Sequence, residues 1–428
     1  MSLIHQKFSI DYILAKIVIF FSFLISFLPY RLIQKLGCLL GLLFFYFMPK
    51  FRKRIYSNLS LANIGNENEL ELKKIAKQSL QSLAISLLEF PKLKKEKELS
   101  GIVSCLNPEL ADNFIQEGKG VIFLCAHQAN WELFFLEGNS RMKGIAVGRP
   151  IKNRYLYDYI LSVRQRFGGN IIQPKSLIKE GLKALKLGKF IGIVGDQGMP
   201  ESNFSSLFLG VPCFSTTAPS LLAYKTNSPI IVATMKRDAR KYQITYSQPL
   251  IPDTSNDMKS EIERLTKLSL QVLEKSIIET PHEWLWLHNR FKQEPADKVF
   301  YRYRQDCLLI IVESMNSIRI DLLRILYPKA FLYFYTLNPS DATSDTVSFC
   351  NLNLPIPKDY KYKMILNMTC LSIFEKHFKK LACIVYLNIN DLDYLINKQN
   401  RECLKLHDEK IIMAVARNPK EILTSYAT

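Results

Sequence analysis

Twelve residues in the first half of the chain, residues 121–132, read VIFLCAHQANWE and decide which fold is predicted. The six apolar residues at 121–126 are typical of a strand that is buried on both faces of a sheet. His127 follows this strand at once, and polar residues then open a helix. Ligands in open α/β sheets bind beyond the carboxyl ends of the strands. The stretch therefore predicts a central strand with a functional residue at its end.

The alternation of short apolar runs with amphipathic stretches continues along the middle of the chain. Further strands are predicted at residues 144–148, 171–173, 191–195 and 230–235, and helices at 151–167 and 175–188. This order predicts an α/β fold in which a mixed sheet is covered by helices. Arg149 follows the second strand and Asp196 follows the strand at 191–195. We therefore expect His127, Arg149 and Asp196 at one edge of the sheet.

His127 and Glu132 stand five residues apart, which favours a functional pair under one geometry only. Along a continuous helix the two side chains would diverge by ~140° and ~7.5 Å. They meet if His127 lies in the loop before the helix, Glu132 lies in its first turn and Asn130 is the N-cap. A carboxylate on one imidazole nitrogen leaves the other basic toward a substrate hydroxyl. The alternative is a hydrogen-bonded core histidine with a surface glutamate.

Two apolar runs near the N-terminus predict a membrane anchor. Residues 12–28 contain one charge, Lys16, and in a helix reach about 26 Å, close to the ~30 Å of a hydrocarbon core. A second run covers residues 36–48, and the basic residues Lys50, Arg52, Lys53 and Arg54 follow it. Such a cluster is attracted to anionic lipid and favours a cytoplasmic position for the next domain. We expect a short span or an interfacial helix pair; two core helices of a soluble domain are the alternative.

Composition and charge narrow the classes of protein. With 48% apolar and 22% charged residues the chain is not disordered, and a single long apolar region excludes a polytopic transporter. Of the net charge of +18, residues 1–296 carry +14. Such a surplus suits an anionic membrane or an acidic protein, while nucleic acid is disfavoured because no nucleic-acid motif appears. His282 and His288 are six residues apart rather than four, so we expect no metal site there.

Five sequence blocks follow one another in a recognisable order. They are an apolar segment with a basic exit at 28–59, AHQANWE at 126–132, Gly148-Arg149-Pro150, Asp196-Gln197 with residues 208–219, and PHEWLWLHNRFK at 281–292. Together they make residues 1–295 resemble the late (lauroyl/myristoyl type) lipid A biosynthesis acyltransferases of bacterial inner membranes. The stretch 126–132 is similar to the H-x4-E motif of that family.

The resemblance implies a glycerolipid-acyltransferase-like fold and a cytoplasm-facing enzyme of the inner membrane. Such an enzyme would transfer a fatty acyl chain from acyl carrier protein to a hydroxyl of an acyl chain on a lipid A precursor, with no cofactor. His127 would be the general base and Glu132 its orienting partner. Arg149, Asp196 and Arg164 would bind substrate.

The domain plan that follows is an anchor at 1–60, an acyltransferase domain at 61–295 and a smaller C-terminal α/β domain at 296–428, whose role the sequence does not indicate. In the last part, strands are predicted at 307–312, 330–335 and 381–387, and helices near 317–327 and 368–380. Two other functions stay open from the residues alone. One is a phospholipid or glycolipid acyltransferase with another acceptor or an acyl-CoA donor, and the other is a non-catalytic scaffold on the membrane surface.

Overall fold

The computed structural model describes residues 10–62, 64, 69–238, 240–288 and 290–292, together with four strands further along the chain. Four helices come first. They are α1 (Ile10–Ile25), α2 (Tyr30–Phe47), α3 (Pro49–Leu61) and α4 (Glu69–Leu93). In this part of the chain, α2 is the helix that is long and apolar enough to cross a membrane, and 22% of it is buried in the protein. Large apolar side chains are exposed along both α1 and α2.

Helix α2 is seated directly on α4 because two glycines allow the backbones to approach. A Cβ atom on Gly37 would lie 2.7 Å from the Cα of Ile85, and one on Gly41 would lie 2.4 Å from the Cα of Gln81. Both glycines are buried on the face of α2 that also carries Ile33 and Phe45. Residues four apart share a helix face, so small side chains at this spacing make the contact close along more than one turn.

A seven-stranded sheet follows, in the order β1-β9-β8-β2-β5-β3-β4. The strands β8, β2, β5, β3 and β4 run parallel, while β9 is antiparallel to β8 and pairs with β1 at one edge. A separate hairpin joins β6 to β7. The bounds are β1 Val103–Cys105, β2 Val121–Cys125, β3 Gly144–Val147, β4 Asn170–Ile172, β5 Phe190–Val194, β6 Ser205–Phe208, β7 Val211–Phe214, β8 Ile230–Asp238 and β9 Lys241–Tyr246.

Helices cover both faces of this sheet. They are α5 (Glu109–Gln116), α6 (Glu132–Arg141), α7 (Arg154–Arg164), α8 (Leu177–Lys186), α9 (Ala218–Thr226) and α10 (Met258–Glu279). Alternate residues of β2 enter two different cores. Ile122 and Leu124 pack with residues of α8, α9 and α10, while Val121 and Phe123 pack with residues of α5, α6 and α7. This period of two is why the strand is apolar throughout.

The predicted α/β fold is confirmed, and the predicted strands at 121–126, 144–148, 171–173 and 191–195 agree with β2 to β5 within a residue at each end. Strands β1 and β9 and the hairpin β6–β7 were not predicted. The second helix predicted, 175–188, begins with a short 3₁₀ turn at Pro174–Ser176. Helix α3 packs into the same core as the sheet through Ile55, Tyr56 and Leu59.

Four strands are described in the C-terminal third, β10 (Cys307–Val312), β11 (Phe331–Thr336), β12 (Met364–Asn367) and β13 (Tyr386–Asn388). They form a parallel sheet in the order β11-β10-β12-β13. The sequence predicts β10 and β11 well, overlaps β13 by two residues and misses β12. The helices predicted near 317–327 and 368–380 lie outside the described residues, and the division at 60 and 295 stays a prediction.

Candidate active site

A cavity of about 330 Å³ opens at the carboxyl ends of β2, β3, β4 and β5. This is the edge of the sheet where the sequence predicts the functional residues. One part of its wall is apolar and one part carries acids, bases and amides. The residues that line it are His127, Trp131, Glu132, Phe135, 146–149, Arg164, Ile171, Pro174, Leu177, 193–195, Gln197, Met199 and Thr216.

His127 and Asp196 form the most closely defined contact at this edge. The Nδ1 atom of His127 lies 2.7 Å from Oδ1 of Asp196, and the backbone N–H of His127 donates to Oδ2 at 2.8 Å. The contact follows from the register of the sheet, since Cys125 of β2 lies level with Val194 of β5. Two residues further on along each parallel strand, the histidine and the aspartate are level as well.

The surroundings of Asp196 keep its carboxyl ionised. Its side chain is fully buried, and Oδ2 accepts a second hydrogen bond, from the indole Nε1 of Trp284 at 2.7 Å. Burial alone would raise the pKa of Asp196, but the charge and hydrogen bond of His127, with His288 and Trp284, hold it below its usual range. An ionised carboxylate accepts, so Nδ1 of His127 carries the proton. Nε2, which makes no hydrogen bond to the described residues, is the basic nitrogen.

The loop after β2 is locked in place by the segment that follows α10. Ala129 has a left-handed φ of 48°, which turns the chain sharply toward α6. Its N–H donates to the carbonyl of Glu283 at 2.9 Å, and the N–H of Leu285 donates to the carbonyl of His127 at 3.0 Å. The hydroxyl of Ser86 on α4 donates to the carbonyl of Ala129 at 2.8 Å. These bonds over-determine a strained turn, as is typical of functional loops.

Two aromatic rings enclose the imidazole of His127. The ring of Trp131 lies 5.2 Å away and that of His288 lies 4.3 Å away, measured between centroids. Burial, together with the nearby charges of His127 and Arg54, lowers the pKa of His288 to about 3 against the opposing effect of Asp196. A neutral ring beside His127 leaves that residue free to accept a proton without meeting a second charge.

Glu132 does not hold His127, which corrects the expected pairing. Both of its carboxylate oxygens accept hydrogen bonds from Arg164, from Nε at 2.7 Å and from a terminal nitrogen at 2.6 Å. Burial opposes the charge of Arg164, but the attraction of Glu132 and their hydrogen bonds raise its pKa. Glu132, the first residue of α6, and Arg164, the last of α7, thus form a bidentate ion pair in the cavity wall.

The remaining expected residues fall into three positions. Arg149 is exposed at the end of β3 and lines the cavity, and it forms no ion pair with the residues described. Asp196, expected to bind substrate, is instead buried behind His127 and does not line the cavity. Asn130, expected as the N-cap of α6, donates to Oε2 of the buried Glu89 at 2.8 Å, while Trp131 occupies the cap position.

Sequence reasoning missed two residues that hold the site together, Trp284 and His288. Both lie in the block 281–292, whose pattern supported only the family resemblance and the exclusion of a metal site at His282 and His288. The same block supplies Arg290, which is fully buried and donates to the carbonyl of Phe214 and to the hydroxyl of Ser215, near Asp196. A polar and aromatic block at the end of an apolar domain was the signal, and its partners could be found only in three dimensions.

The fold and the site define a class of enzyme. A histidine held by a buried carboxylate at the carboxyl edge of an α/β sheet can activate a substrate hydroxyl, and the cavity beside it has both a polar and an apolar wall. The sequence model of the bacterial lipid A biosynthesis acyltransferases matches residues 5–293. The chain belongs to this family.

Characterised relatives agree with that membership. A lipid A biosynthesis lauroyltransferase of Escherichia coli K12 is 27% identical over 275 residues, which cover 63% of this chain and 88% of the relative. A lipid A biosynthesis acyltransferase of Haemophilus influenzae is 24% identical and a palmitoleoyltransferase of E. coli K12 is 22% identical, each with the same shares of the two chains. The residues beyond 293 lie outside the family match.

Proposed function

We propose that this protein transfers a fatty acyl chain from acyl carrier protein to a hydroxyl group of an acyl chain already on a lipid A precursor. The observation that carries the proposal is the pair His127–Asp196, placed at the mouth of a half-apolar cavity. Family membership supports the acceptor class. The relatives named for lauroyl and palmitoleoyl transfer support a fatty acyl group as the one transferred.

The reaction needs no nucleophile from the enzyme. The acceptor hydroxyl attacks the carbonyl carbon of the acyl thioester while Nε2 of His127 takes its proton. The tetrahedral intermediate then collapses, the bond from carbon to sulfur breaks, and the proton held by His127 passes to the leaving thiolate. The products are the new ester and the free carrier thiol. Asp196 keeps Nδ1 protonated throughout and stabilises the imidazolium between the two steps.

The arginines complete the site in two different ways. Arg149 is exposed and unpaired among the described residues, so its guanidinium is available to a phosphate of the acceptor or to the developing oxyanion. Arg164 is already bound by Glu132 through two bonds. We assign to this pair the placement of Trp131 and of the start of α6 beside His127, rather than direct binding of an anion.

The N-terminal helices support a position at the bacterial inner membrane with the site on the cytoplasmic side. Exposed apolar side chains occupy α1 and α2, and they would contact lipid. Lys50 and Arg52 follow α2 directly, where basic side chains meet anionic headgroups on the cytoplasmic side. Asp11 of α1 accepts through its carbonyl from the side chain of Asn153, which precedes α7, so the anchor also touches the rim of the cavity.

The direct test is mass spectrometry of reactions with detergent-solubilised protein, fatty acyl carrier protein and an under-acylated lipid A precursor. Wild type should add one acyl mass to the precursor. His127→Ala should lower the rate by about 100-fold or more, the usual contribution of a general base. His282→Ala is the matched control, because His282 lies outside the cavity and should leave the rate within a factor of two.

Four other outcomes would contradict a part or the whole of the proposal. Transfer to lysophospholipids in place of the lipid A precursor would move the acceptor to another glycerolipid, and transfer from acyl-CoA alone would replace the donor. A folded His127→Ala protein with the wild-type rate would remove the base. No transfer from wild type to any acceptor would leave a non-catalytic protein of the membrane surface.

A further inference from the structure

One short turn at the rim of the cavity supplies part of its apolar wall and two exposed cations. The turn covers residues 173–179, which are the 3₁₀ turn Pro174–Ser176 and the start of α8. Pro174 and Leu177 line the cavity. Lys175 and Lys179 are exposed, and Ile178 between them is 39% exposed. A chain lying against Pro174 and Leu177 therefore leaves the cavity beside two lysines and an exposed isoleucine.

The arrangement follows from the geometry of the turn. In a 3₁₀ turn side chains three residues apart lie on one side, which places Pro174 and Leu177 together and directs the two residues between them elsewhere. Lys175 stands in the 3₁₀ turn and Lys179 in the first turn of α8, and both side chains are exposed. The two faces of this one turn thus differ sharply in character.

Two loops at the rim of the cavity carry charge of one sign. They lie where the neighbouring strands β3 and β4 end, at residues 148–154 and residues 173–179. Together they contain five basic residues and no aspartate or glutamate. A cleft lined by one sign of charge attracts a partner of the opposite sign and raises its rate of association.

The two loops lie on different sides of the sheet. Residues 148–154 lead into α7, which belongs to the core on one face and packs against α1. Residues 173–179 lead into α8, whose Ala184 and Leu185 belong to the core on the opposite face. The first loop therefore shares its side with the apolar helix α1, and the second loop lies on the opposite side of the sheet, whose core also contains Phe45 of α2.

We propose that the turn at residues 173–179 is the docking surface for the acidic acyl carrier protein that delivers the acyl chain. Lys175 and Lys179 would meet its carboxylates, Ile178 would contact an apolar side chain of its surface, and the acyl chain would enter the cavity past Leu177. The proposal rests on the carrier protein being the donor, as proposed above. It adds the site of contact and separates it from the loop beside α1, which is left to the lipid acceptor.

The test compares two double variants in the segment formed by the 3₁₀ turn and α8. Lys175→Glu with Lys179→Glu reverses the proposed surface, and Lys183→Glu with Lys186→Glu makes the same change of charge on exposed residues of α8 away from the cavity. Rates are measured with fatty acyl carrier protein and with the same acyl group on pantetheine, a thioester donor without the protein. We expect the first variant to raise KM for the carrier by about 10-fold or more, since it repels an acidic partner. Its kcat, and both constants for the pantetheine donor, should stay within a factor of two.

Salt gives an independent readout of the same contact. KM of wild type for the carrier should rise with ionic strength, and this dependence should flatten when Lys175 and Lys179 are reversed. Equal effects of the two double variants would show that only net charge matters and would overturn the docking surface. The docking surface would also be overturned if reversing Lys175 and Lys179 left KM for the carrier unchanged but abolished binding to anionic vesicles. The turn would then be a membrane contact. If wild type does not use the carrier as donor, the proposed function fails instead.

Discussion

The two sides of the cavity mouth differ in how firmly the protein holds their side chains. On the side of β2 and β5, His127 and Asp196 are held by backbone register, an indole, a strained turn and two enclosing rings, and the aspartate is fully buried. On the side of β3 and β4, Arg149 and Lys175 are exposed on loops and pair with none of the residues described. The reacting groups are thus fixed before substrate arrives, whereas the rim is left open for partners that bring the opposite charge.

The difference indicates which property each side controls. A preorganised pair needs little rearrangement during the reaction, so substitutions in it should change kcat. Exposed cations act through long-range attraction and should govern association and its dependence on salt. Substitutions on the two sides should therefore separate in kinetic measurements.

The largest effect is expected from Asp196→Asn. The amide cannot hold Nδ1 protonated as a carboxylate does, and it does not stabilise the imidazolium, so kcat should fall by about 10² to 10⁴. KM for the carrier should change little, because Asp196 does not line the cavity. Steady-state kinetics on folded protein would check this. A rise in KM of the same size, with kcat unchanged, would contradict the prediction that this side of the cavity controls kcat.

The next effect is expected where the reacting side and the wall meet, at Glu132→Gln. The change leaves Arg164 without its carboxylate and shifts the start of α6, which carries Trp131. A displacement of about 1 Å in a catalytic group can cost about 10²-fold, so we expect a loss of about 10- to 100-fold in kcat. Arg164→Lys keeps the charge but not the two parallel hydrogen bonds, and it should show part of the same loss. Wild-type rates in both variants would show that the pair is dispensable.

A smaller effect is expected on the rim, from Arg149→Ala. The proposed contact with an acceptor phosphate predicts a rise in KM for the lipid A precursor of about 10-fold, with rescue by Arg149→Lys because the charge is retained. The rise should shrink at high ionic strength. A loss in kcat alone, unaffected by salt, would instead place Arg149 with His127 and Asp196 as a group that controls kcat.

The smallest effect concerns stability and reports how closed the reacting side is. His288 has a pKa of about 3 in the folded protein and about 6.5 when unfolded. As pH falls through 6.5, only the unfolded state takes up this proton, so stability is lost progressively toward pH 3. His288→Phe should remove about 1 kcal/mol of the loss seen between pH 7.5 and 5.5. Urea unfolding in detergent at the two pH values would measure this difference in the free energy of unfolding. Burial also lowers the pKa of His282, so both wild type and variant should keep a smaller loss of stability at low pH.

The sequence predicted the central fold because its signals are local. An unbroken apolar run such as 121–126 indicates a buried strand, and a residue that follows such a strand lies at the ligand edge whatever the strand order is. His127 and Arg149 were found in this way. The edge strand β1 and its neighbour β9 are half-polar and gave a weaker pattern, so they were missed.

The partner of His127 could not be predicted, because it depends on which strands are neighbours. Glu132 is near His127 in sequence and Asp196 is 69 residues away, yet the pairing of β2 with β5 makes the distant residue the partner. The apolar order of the chain is compatible with several strand orders, and each would bring a different side chain beside the histidine. The same limit applies to Trp284 and His288, which reach the site only because the chain returns to it after α10.

The close seat of α2 on α4 has a consequence for the reach of the protein over a lipid surface. Gly37 and Gly41 bring α2 onto the backbone of α4, and Ser86 of α4 holds the carbonyl of Ala129 beside His127. Helix α2 is therefore not a flexible tether for the remaining domain. With α2 in the membrane, as proposed above, this contact would fix the height of His127 above the bilayer, so that a lipid would have to rise to it by a set distance. The depth at which a lipid carries its free hydroxyl would then help to decide which lipid is used as acceptor, together with the charge and shape of that lipid.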